Sequence, residues 1–343
     1  MAVSAINFSL PEELNAKMPP ERRGIRRDYV RMMVLHKETG DREHAQFYKL
    51  DRYLEKGDLV VLNSSRTVPA VLKGTLKKEE GREVEIRLAH RKSEKVWEAL
   101  AVREEMNIGE QICFSPVLSA TVIKTHQDAP FVTLEFNLCC SDLYDQIYAI
   151  GQPIRYEYIE KPWDLDYYQT VYGTAPGSVE MPSAGRAFSW ELLFRLQKKG
   201  VRIAFIQLHT GLSYLLDDKW HLGPRENYEE YHLPQEAAEA IAETKANGGR
   251  IIAVGTTVVR SLESAADEKG IVQAQSGWTN LYIHEKTKLK VVDGLITGLH
   301  EPEASHLDLL SAFVKKNHLY RAYQEAIQMK YLWHEFGDMN LII

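Results

Sequence analysis

Between residues 73 and 137 the chain carries a run of strand signals that a simple alternating α/β fold cannot absorb. Five β-rich segments (VEIRLAH, VWEALAV, QICFS, SATVIKTH and FVTLEFN) follow one another, with turns rich in Gly, Ser, Pro or charge and no helical pattern between them. Such a series folds as a small antiparallel barrel of five or six strands. On the amino-terminal side the first clear strand is expected at residues 58–63 (DLVVLN). Before it, AQFYKLDRYLEKG places Phe47, Leu50, Tyr53 and Leu54 at helical spacing, with Gly57 as a C-cap. Residues 141–151 predict a helix with Leu143, Ile147 and Tyr148 on one face.

Beyond Pro153 strand and helix alternate. Ser189 suits the N-cap of WELLFRLQKKG, and Lys198, Lys199 and Gly200 suit its C-terminal end. The strand VRIAFIQL follows, then a helix at 234–247, a strand at 250–254 and a helix at 256–269. Strands are expected near Asn280 and Leu289, and two helices between 305 and 330. The predicted architecture is a two-domain α/β (α+β) protein. A larger mixed-sheet α/β domain, residues 1–72 and 152–343, is interrupted by a small antiparallel β-barrel at 73–151.

The length of 343 residues suits two domains rather than one core. No stretch approaches the roughly 20 apolar residues that span a bilayer. The N-terminus has neither a basic region nor a continuous apolar one, so no signal peptide is expected. Three cysteines, Cys139 and Cys140 adjacent, make neither a disulfide framework nor a zinc pattern. A cytoplasmic protein is expected. With a net charge of −6, the molecule as a whole does not look like a nucleic-acid binder. Two basic runs stand out, Arg22, Arg23, Arg26, Arg27 and Arg31, and then Arg87, Arg91, Lys92 and Lys95. Each is either a solvated face or a footprint for phosphate.

The richest segment for chemistry is RIIAVGTTVVRSLESAADEKG. A buried strand ends at Gly255, and Thr256 can cap the helix that follows, leaving its positive end for a ligand. Thr256, Arg260 and Glu263 share one helical face, with Arg260 suited to a carboxylate and Glu263 to sugar hydroxyls. The alternative is a capped helix with an internal ion pair. In YYQTVYGTAPGSVEMPSAGRAFS, small residues such as Gly173, Gly177, Ser183, Ala184 and Gly185 permit close backbone approach, while Gln169 and Thr170 offer hydrogen bonds. An ordinary loop would also account for those glycines. In QLHTGLSYL, His209 and Gly211 follow a strand directly, where His209 is either structural or an acid or substrate ligand.

Asp293, Thr297, His300 and His306 cluster in VVDGLITGLHEPEASHL, but the six-residue histidine spacing is not that of a helical zinc pair, and no metal site is predicted. Gly337 and Asp338 form a turn before the apolar LII. Asn63, Ser65 and Arg66 sit at the carboxyl end of the DLVVLN strand, where α/β domains usually bind ligands. Walker, GxGxxG and GxSxG patterns are missing from the sequence, against a nucleotide hydrolase, a dinucleotide dehydrogenase or a serine hydrolase.

In this order, Arg27-Asp28 with Arg31, NSSRTVPA, YYQTVYGTAPGSVEMPSAG, LHTG, VGTTVVRSLES, VDGLITGLHEP, AYQEAI and FGD resemble one family nearly end to end. That family is the S-adenosylmethionine:tRNA ribosyltransferase-isomerase of queuosine biosynthesis. The resemblance implies an α/β domain interrupted by a β-barrel. It also implies transfer and isomerisation of the ribosyl part of S-adenosylmethionine onto a 7-aminomethyl-7-deazaguanine at the tRNA wobble position. Epoxyqueuosine in tRNA, adenine and methionine would result, with no cofactor beyond S-adenosylmethionine as co-substrate. Carried over residue by residue, it implies catalytic roles for His209, Glu229, His300 and Asp338. S-adenosylmethionine would be held by Gly211, Gly255, Thr256, Thr257, Arg260 and Glu263. The acceptor and tRNA would meet Arg27, Asp28, Arg31, Asn63, Ser65, Arg66, Gln169, Thr170, Ser183 and Gly185. The expected assembly is a monomer or homodimer without a membrane partner.

Several family motifs differ here. A histidine after the PTAG stretch is Ala187, and Met-His-x-Glu becomes Glu226, Asn227, Tyr228 and Glu229. Thr-Asn-Phe-His-Leu-Pro becomes Thr297, Gly298, Leu299, His300, Glu301 and Pro302, and Val-Gly-Ala-Gly-Thr-Phe is reduced to the run from Thr210 to Tyr214. The arginine of Pro-Ala-Arg is Val71, and Tyr-Arg-Phe becomes Tyr331, Leu332 and Trp333. The donor segment matches nearly intact while acceptor-side stretches differ, the pattern of a divergent paralogue. Three readings follow: the standard tRNA enzyme, a related S-adenosylmethionine-using transferase or lyase with another acceptor, and a non-catalytic S-adenosylmethionine or RNA-binding paralogue.

Overall fold

The computed structural model describes residues 6–78, 81–126, 131–156, 158–213 and 228–343. Strands β1 (Arg31–Leu35), β2 (Arg42–Gln46) and β3 (Leu59–Asn63) come first, and a short β4 (Ser65–Thr67) leads out of the sheet. Six strands follow: β5 (Val71–Leu76), β6 (Glu83–Arg91), β7 (Val96–Ala101), β8 (Gln111–Cys113), β9 (Ser119–Thr125) and β10 (Phe131–Phe136). They close into a barrel in the order β10-β7-β6-β5-β8-β9, every pair antiparallel. The expected barrel is present, but its ladder starts at Val71, ahead of residue 73. Val71 pairs with Arg87 in the barrel wall, a place that suits a β-branched apolar side chain. Helix α1 (Cys140–Ile150) buries Leu143 and Ile147 against the barrel core, which includes Trp97 and Phe136.

The chain returns through β11 (Ala175–Ser178), which pairs in parallel with β4, so both connections to the barrel share one ribbon. The remaining elements are α2 (Trp190–Lys199), β12 (Arg202–Leu208), β13 (Glu229–Leu233), α3 (Gln235–Ala246), β14 (Ile251–Val254), α4 (Thr256–Ala265), β15 (Gln275–Thr279), β16 (Gly294–Gly298), α5 (Ser305–Leu310), α6 (Lys316–Gln328) and β17 (Met339–Ile342). The large sheet has nine strands in the order β15-β13-β12-β3-β14-β16-β17-β1-β2. Strands β12, β3, β14 and β16 are parallel, whereas β17 runs against β16. Strand β3 (LVVLN) is buried at every residue because both faces of the sheet are covered. Leu59 and Val61 face a core shared with Ile241 of α3 and Leu262 of α4. Val60 and Leu62 face the opposite core with Leu192 and Leu196 of α2.

Ser189 accepts the Leu192 N–H and Gly200 adopts φ 91°, so α2 is capped as its sequence predicts. Four local expectations need correction. Phe47, Leu50 and Leu54 are buried, but residues 47–52 form only a 3-10 turn, because Arg42–Gln46 is held in the β1 ladder. Strand β1 went unpredicted, since RMMVL is buried almost throughout and shows no alternation. No strand lies at Leu289; the ladder begins at Gly294. Helix α4 stops at Ala265 rather than Lys269, because Ala266 pairs with Val272 in an isolated bridge. Among the described residues, no helix is long and apolar enough to cross a membrane.

Candidate active site at the carboxyl edge of the sheet

The carboxyl ends of β3, β12, β14 and β16 lie at one edge of the sheet, together with the amino ends of β13, β17 and β1. This is the edge at which open α/β sheets bind ligands. At the end of β3, Asn63 bridges to β12: its Nδ2 donates to Leu208 O at 2.8 Å and its Oδ1 accepts Leu208 N–H at 3.0 Å. That use and its burial make Asn63 a clamp between strands rather than a substrate ligand. The clamp fixes Ser65, whose Oγ lies 2.7 Å from His209 Nδ1 and 2.6 Å from Ser178 Oγ. Burial, reinforced by the Arg91 charge, lowers the His209 pKa to about 4, so the ring is neutral near pH 7. Gly177, at φ 157°, lies so close that a Cβ there would meet His209 Nδ1 at 2.6 Å. Gly211 likewise packs on barrel residue His90, where a Cβ would come within 2.0 Å of Nε2. Arg91 Nη2 reaches Glu230 at 2.9 Å, so the barrel rests over this end of the sheet.

Helix α4 starts beside this group. Thr256 is not its cap; Gly255 takes that position at φ 93°, and no side chain caps the helix. Val258 and Val259 N–H bond to Gly255 O, which leaves the Thr256 and Thr257 amides for another partner. Arg260 forms an ion pair with buried Glu229 on β13, not with Glu263. Glu263 points elsewhere. Its carboxylate accepts the backbone N–H groups of Lys290, Val291 and Val292 at 2.9, 3.0 and 3.1 Å. With three amides to hold, it anchors the loop before β16. Beyond β16, His300 Nε2 lies 2.8 Å from Thr297 Oγ1, and its ring stacks on His306 with centroids 4.6 Å apart. Burial, then the nearby His306, holds His300 well below its ordinary pKa. His306 keeps an edge open to solvent, yet surrounding protein and the Arg260 charge lower it too.

A crevice beside β16 is lined by Arg27, Ser183, Arg186, Gly298, His334 and Glu335, among others. Arg27 is tied to Glu21 at 3.1 Å and to Gln169 O at 3.2 Å. Asp28 is buried and accepts from Arg26 and Ser189 Oγ. Arg31 and Asp338 satisfy each other: Asp338 accepts Arg31 N–H at 2.8 Å, Arg31 Nη2 at 2.9 Å and Leu332 N–H at 2.8 Å. Asp338 is thus a buried joint between β1 and β17, and its predicted catalytic role lacks a free oxygen. Gln169 is spent on both backbone groups of Thr67. Thr170 is buried with its Oγ1 unpartnered, and Gly185 packs under the Tyr172 hydroxyl, 2.1 Å from where a Cβ would stand. Arg66 is exposed.

Comparison with known proteins bears on this arrangement. A family profile described as queuosine biosynthesis protein matches residues 3–342. The chain belongs to the queuosine biosynthesis protein family. Relatives named S-adenosylmethionine:tRNA ribosyltransferase-isomerase, from Caldanaerobacter subterraneus subsp. tengcongensis and Carboxydothermus hydrogenoformans, are 37% and 38% identical over the full length of both chains. A crystal structure of S-adenosylmethionine tRNA ribosyltransferase from Thermotoga maritima is similar at a TM-score of 0.57 and 32% identity, covering 98% of this chain and 99% of that one.

Seen as a queuosine biosynthesis protein, the chain gathers His209, Ser65, Glu229, Gly255 to Arg260 and His300 at one edge, and turns Glu263, Asp338, Arg31, Asn63 and Gln169 to structural uses. Tyr214, Glu226 and Asn227 lie outside the described residues. Sequence reasoning missed three groups here. His306 was set aside because its spacing to His300 fits no metal pair. Arg186, also passed over, is buried; it donates to Tyr167 O and pairs with Glu21 at 2.7 Å. Glu335 was not singled out; burial and the Glu180 charge raise its pKa to about 8 against the opposing pull of Arg186, and its Oε2 has no hydrogen-bond partner.

Proposed function

We propose that this chain transfers and isomerises the ribosyl part of S-adenosylmethionine onto 7-aminomethyl-7-deazaguanine in tRNA, giving epoxyqueuosine and releasing adenine and methionine. The observation that carries this reading is similarity over the full length of both chains to relatives bearing that enzyme's name, at 37% identity. The reaction needs a base for a C5′ hydrogen made acidic by the sulfonium, a neutral amine as nucleophile and a proton for departing adenine. Two neutral histidines suit the first of these demands, and a ring that has taken up the C5′ proton can then supply one to adenine. His209 and His300 both lack a proton near pH 7, the form in which a ring nitrogen accepts one. In this proposal the uncapped start of α4 at Gly255, Thr256 and Thr257, with Arg260, receives the methionine and ribose end of the donor. Gly211 keeps the backbone close at the barrel side. Ser183 borders the space for the acceptor base, Gly185 supports it from beneath Tyr172, and exposed Arg66 is available to phosphate.

A second reading, another acceptor, is favoured by one observation. Ala187 and Gly298, which stand where family motifs carry larger polar residues, line the same crevice as His334 and Glu335. Incubation with labelled S-adenosylmethionine and tRNA bearing the aminomethyl-deazaguanine separates the readings. Adenine release with label on tRNA is the expected result. Adenine release independent of tRNA favours another acceptor, and tight donor binding without release indicates a binding protein.

A further inference from the structure

Two pairs of stacked aromatic rings lie on the surface beside the crevice. Trp190 and Phe194, one turn apart on α2, are 50% and 62% exposed, with centroids 5.9 Å apart and planes at 23°. They lie on the face of α2 opposite buried Leu192, Leu193 and Leu196. Tyr29 stacks on Tyr48 at 4.7 Å and 19°. Cations join the pairs. Arg26 lies 5.0 Å over the Tyr29 ring, paired with Asp28 and with Glu191 of α2 at 2.8 and 2.7 Å, while Arg195 lies 5.8 Å over Tyr48, paired with Asp51 at 2.6 Å. Lys49 adds a third cation 5.6 Å from the Tyr48 ring. The patch borders the candidate site in sequence and space: Ser189, just before Trp190, hydrogen-bonds Asp28, and Arg27 next to it lines the crevice.

Exposed Trp190, Phe194 and Tyr29 form an apolar patch of the kind that marks a contact surface. Exposed rings beside the Lys49 ammonium suit a partner that alternates flat π faces with negative charge, as an unpaired RNA strand does. The arginines of both basic surfaces have acidic partners, and so do Lys92 and Lys95 on the barrel; what sets this patch apart is its exposed rings beside Lys49, which has no carboxylate partner among the described residues.

We propose that the Tyr29–Tyr48 and Trp190–Phe194 ring pairs form a stacking platform for unpaired RNA bases next to the base that enters the crevice. This rests on the tRNA reading above and assigns the surface that grips the loop. The test uses the full chain and a synthetic anticodon stem-loop RNA carrying the aminomethyl-deazaguanine. Trp190→Ala/Phe194→Ala is expected to raise hairpin Kd and KM by about ten-fold or more, leaving kcat and S-adenosylmethionine affinity unchanged. Trp190→Phe/Phe194→Tyr, which keeps the rings, is expected to restore binding. Undiminished hairpin affinity in the alanine variant, with transfer intact in the wild type, overturns the platform and leaves the activity standing. A wild type that neither binds nor modifies the hairpin overturns both. A dimer that the alanine variant dissolves, with RNA affinity unchanged, makes the patch a contact between copies instead.

Discussion

Arg260 on α4 and Glu229 at the start of β13 form an ion pair that is largely buried, with side-chain exposures of 17% and 4%. It joins the helix proposed to receive the donor to the strand beside the barrel. Removing one partner of such a pair strands a charge, at a cost of about 3–5 kcal/mol. Arg260→Ala should therefore lower both thermal stability and S-adenosylmethionine affinity. Adding Glu229→Gln should recover much of the stability but none of the affinity, a split that calorimetric titration and thermal melts resolve. Unchanged affinity in Arg260→Ala would remove the donor from this helix.

The contact of Gly211 with His90 predicts a different defect. A methyl at Gly211 must displace the His90 ring or push the barrel off the sheet edge. Gly211→Ala should cost about 1–3 kcal/mol by overpacking. It should also speed proteolysis between barrel and sheet, with His90→Ala as a compensating second change. A melting temperature equal to wild type would show that the barrel does not press on this residue.

The pH dependence of His209 has a definite sign. Its folded pKa of about 4 lies below the ordinary 6.5, so the unfolded chain takes up the proton first as pH falls. Stability should drop from pH 6.5 down to about 4, and His209→Asn should flatten that part of the curve. Denaturant midpoints across this range provide the measurement.

Glu335 works in the opposite direction. Its folded pKa is raised to about 8 from 4.5, so the folded protein holds a proton that the unfolded chain releases. The contribution is full below pH 4.5 and is lost as pH rises to about 8. Glu335→Gln should remove this loss and gain on wild type most at pH 8, again in denaturant midpoints. Parallel curves for the two proteins would mean that the carboxyl is already ionised.

Glu263 offers a test of structure against binding. Its carboxylate holds three amides of the 290–292 loop, so Glu263→Ala should cost about 1–3 kcal/mol in stability. Donor affinity should change much less than in Arg260→Ala when both are titrated under conditions that keep the chains folded.

Much of the architecture was legible because it is local. Repeated β runs without helices announced the barrel, and Ser189 with Gly200 marked both ends of α2. The site was legible only as segments. Sequence order placed Arg260 near Glu263 on a helix, but the partner that takes its charge, Glu229, comes from another strand. The same holds for Asp338, whose oxygens are claimed by Arg31 some 307 positions away. Spacing along a chain cannot reveal which polar groups are already spent on distant backbone. Nor could it reveal Glu335, whose unusual proton affinity comes from burial beside Glu180.

Strand β17 lies between β16 and β1, although it is the last strand in chain order. The β1–β2 hairpin, which precedes the other strands of this sheet, therefore has no place in it until residues 339–342 have been made. Met32, Met33, Val34 and Leu35, fully buried in the finished sheet, gain their β17 neighbour only then. A chain shortened before Met339 would lose the seam that joins its earliest strands to the rest of the sheet.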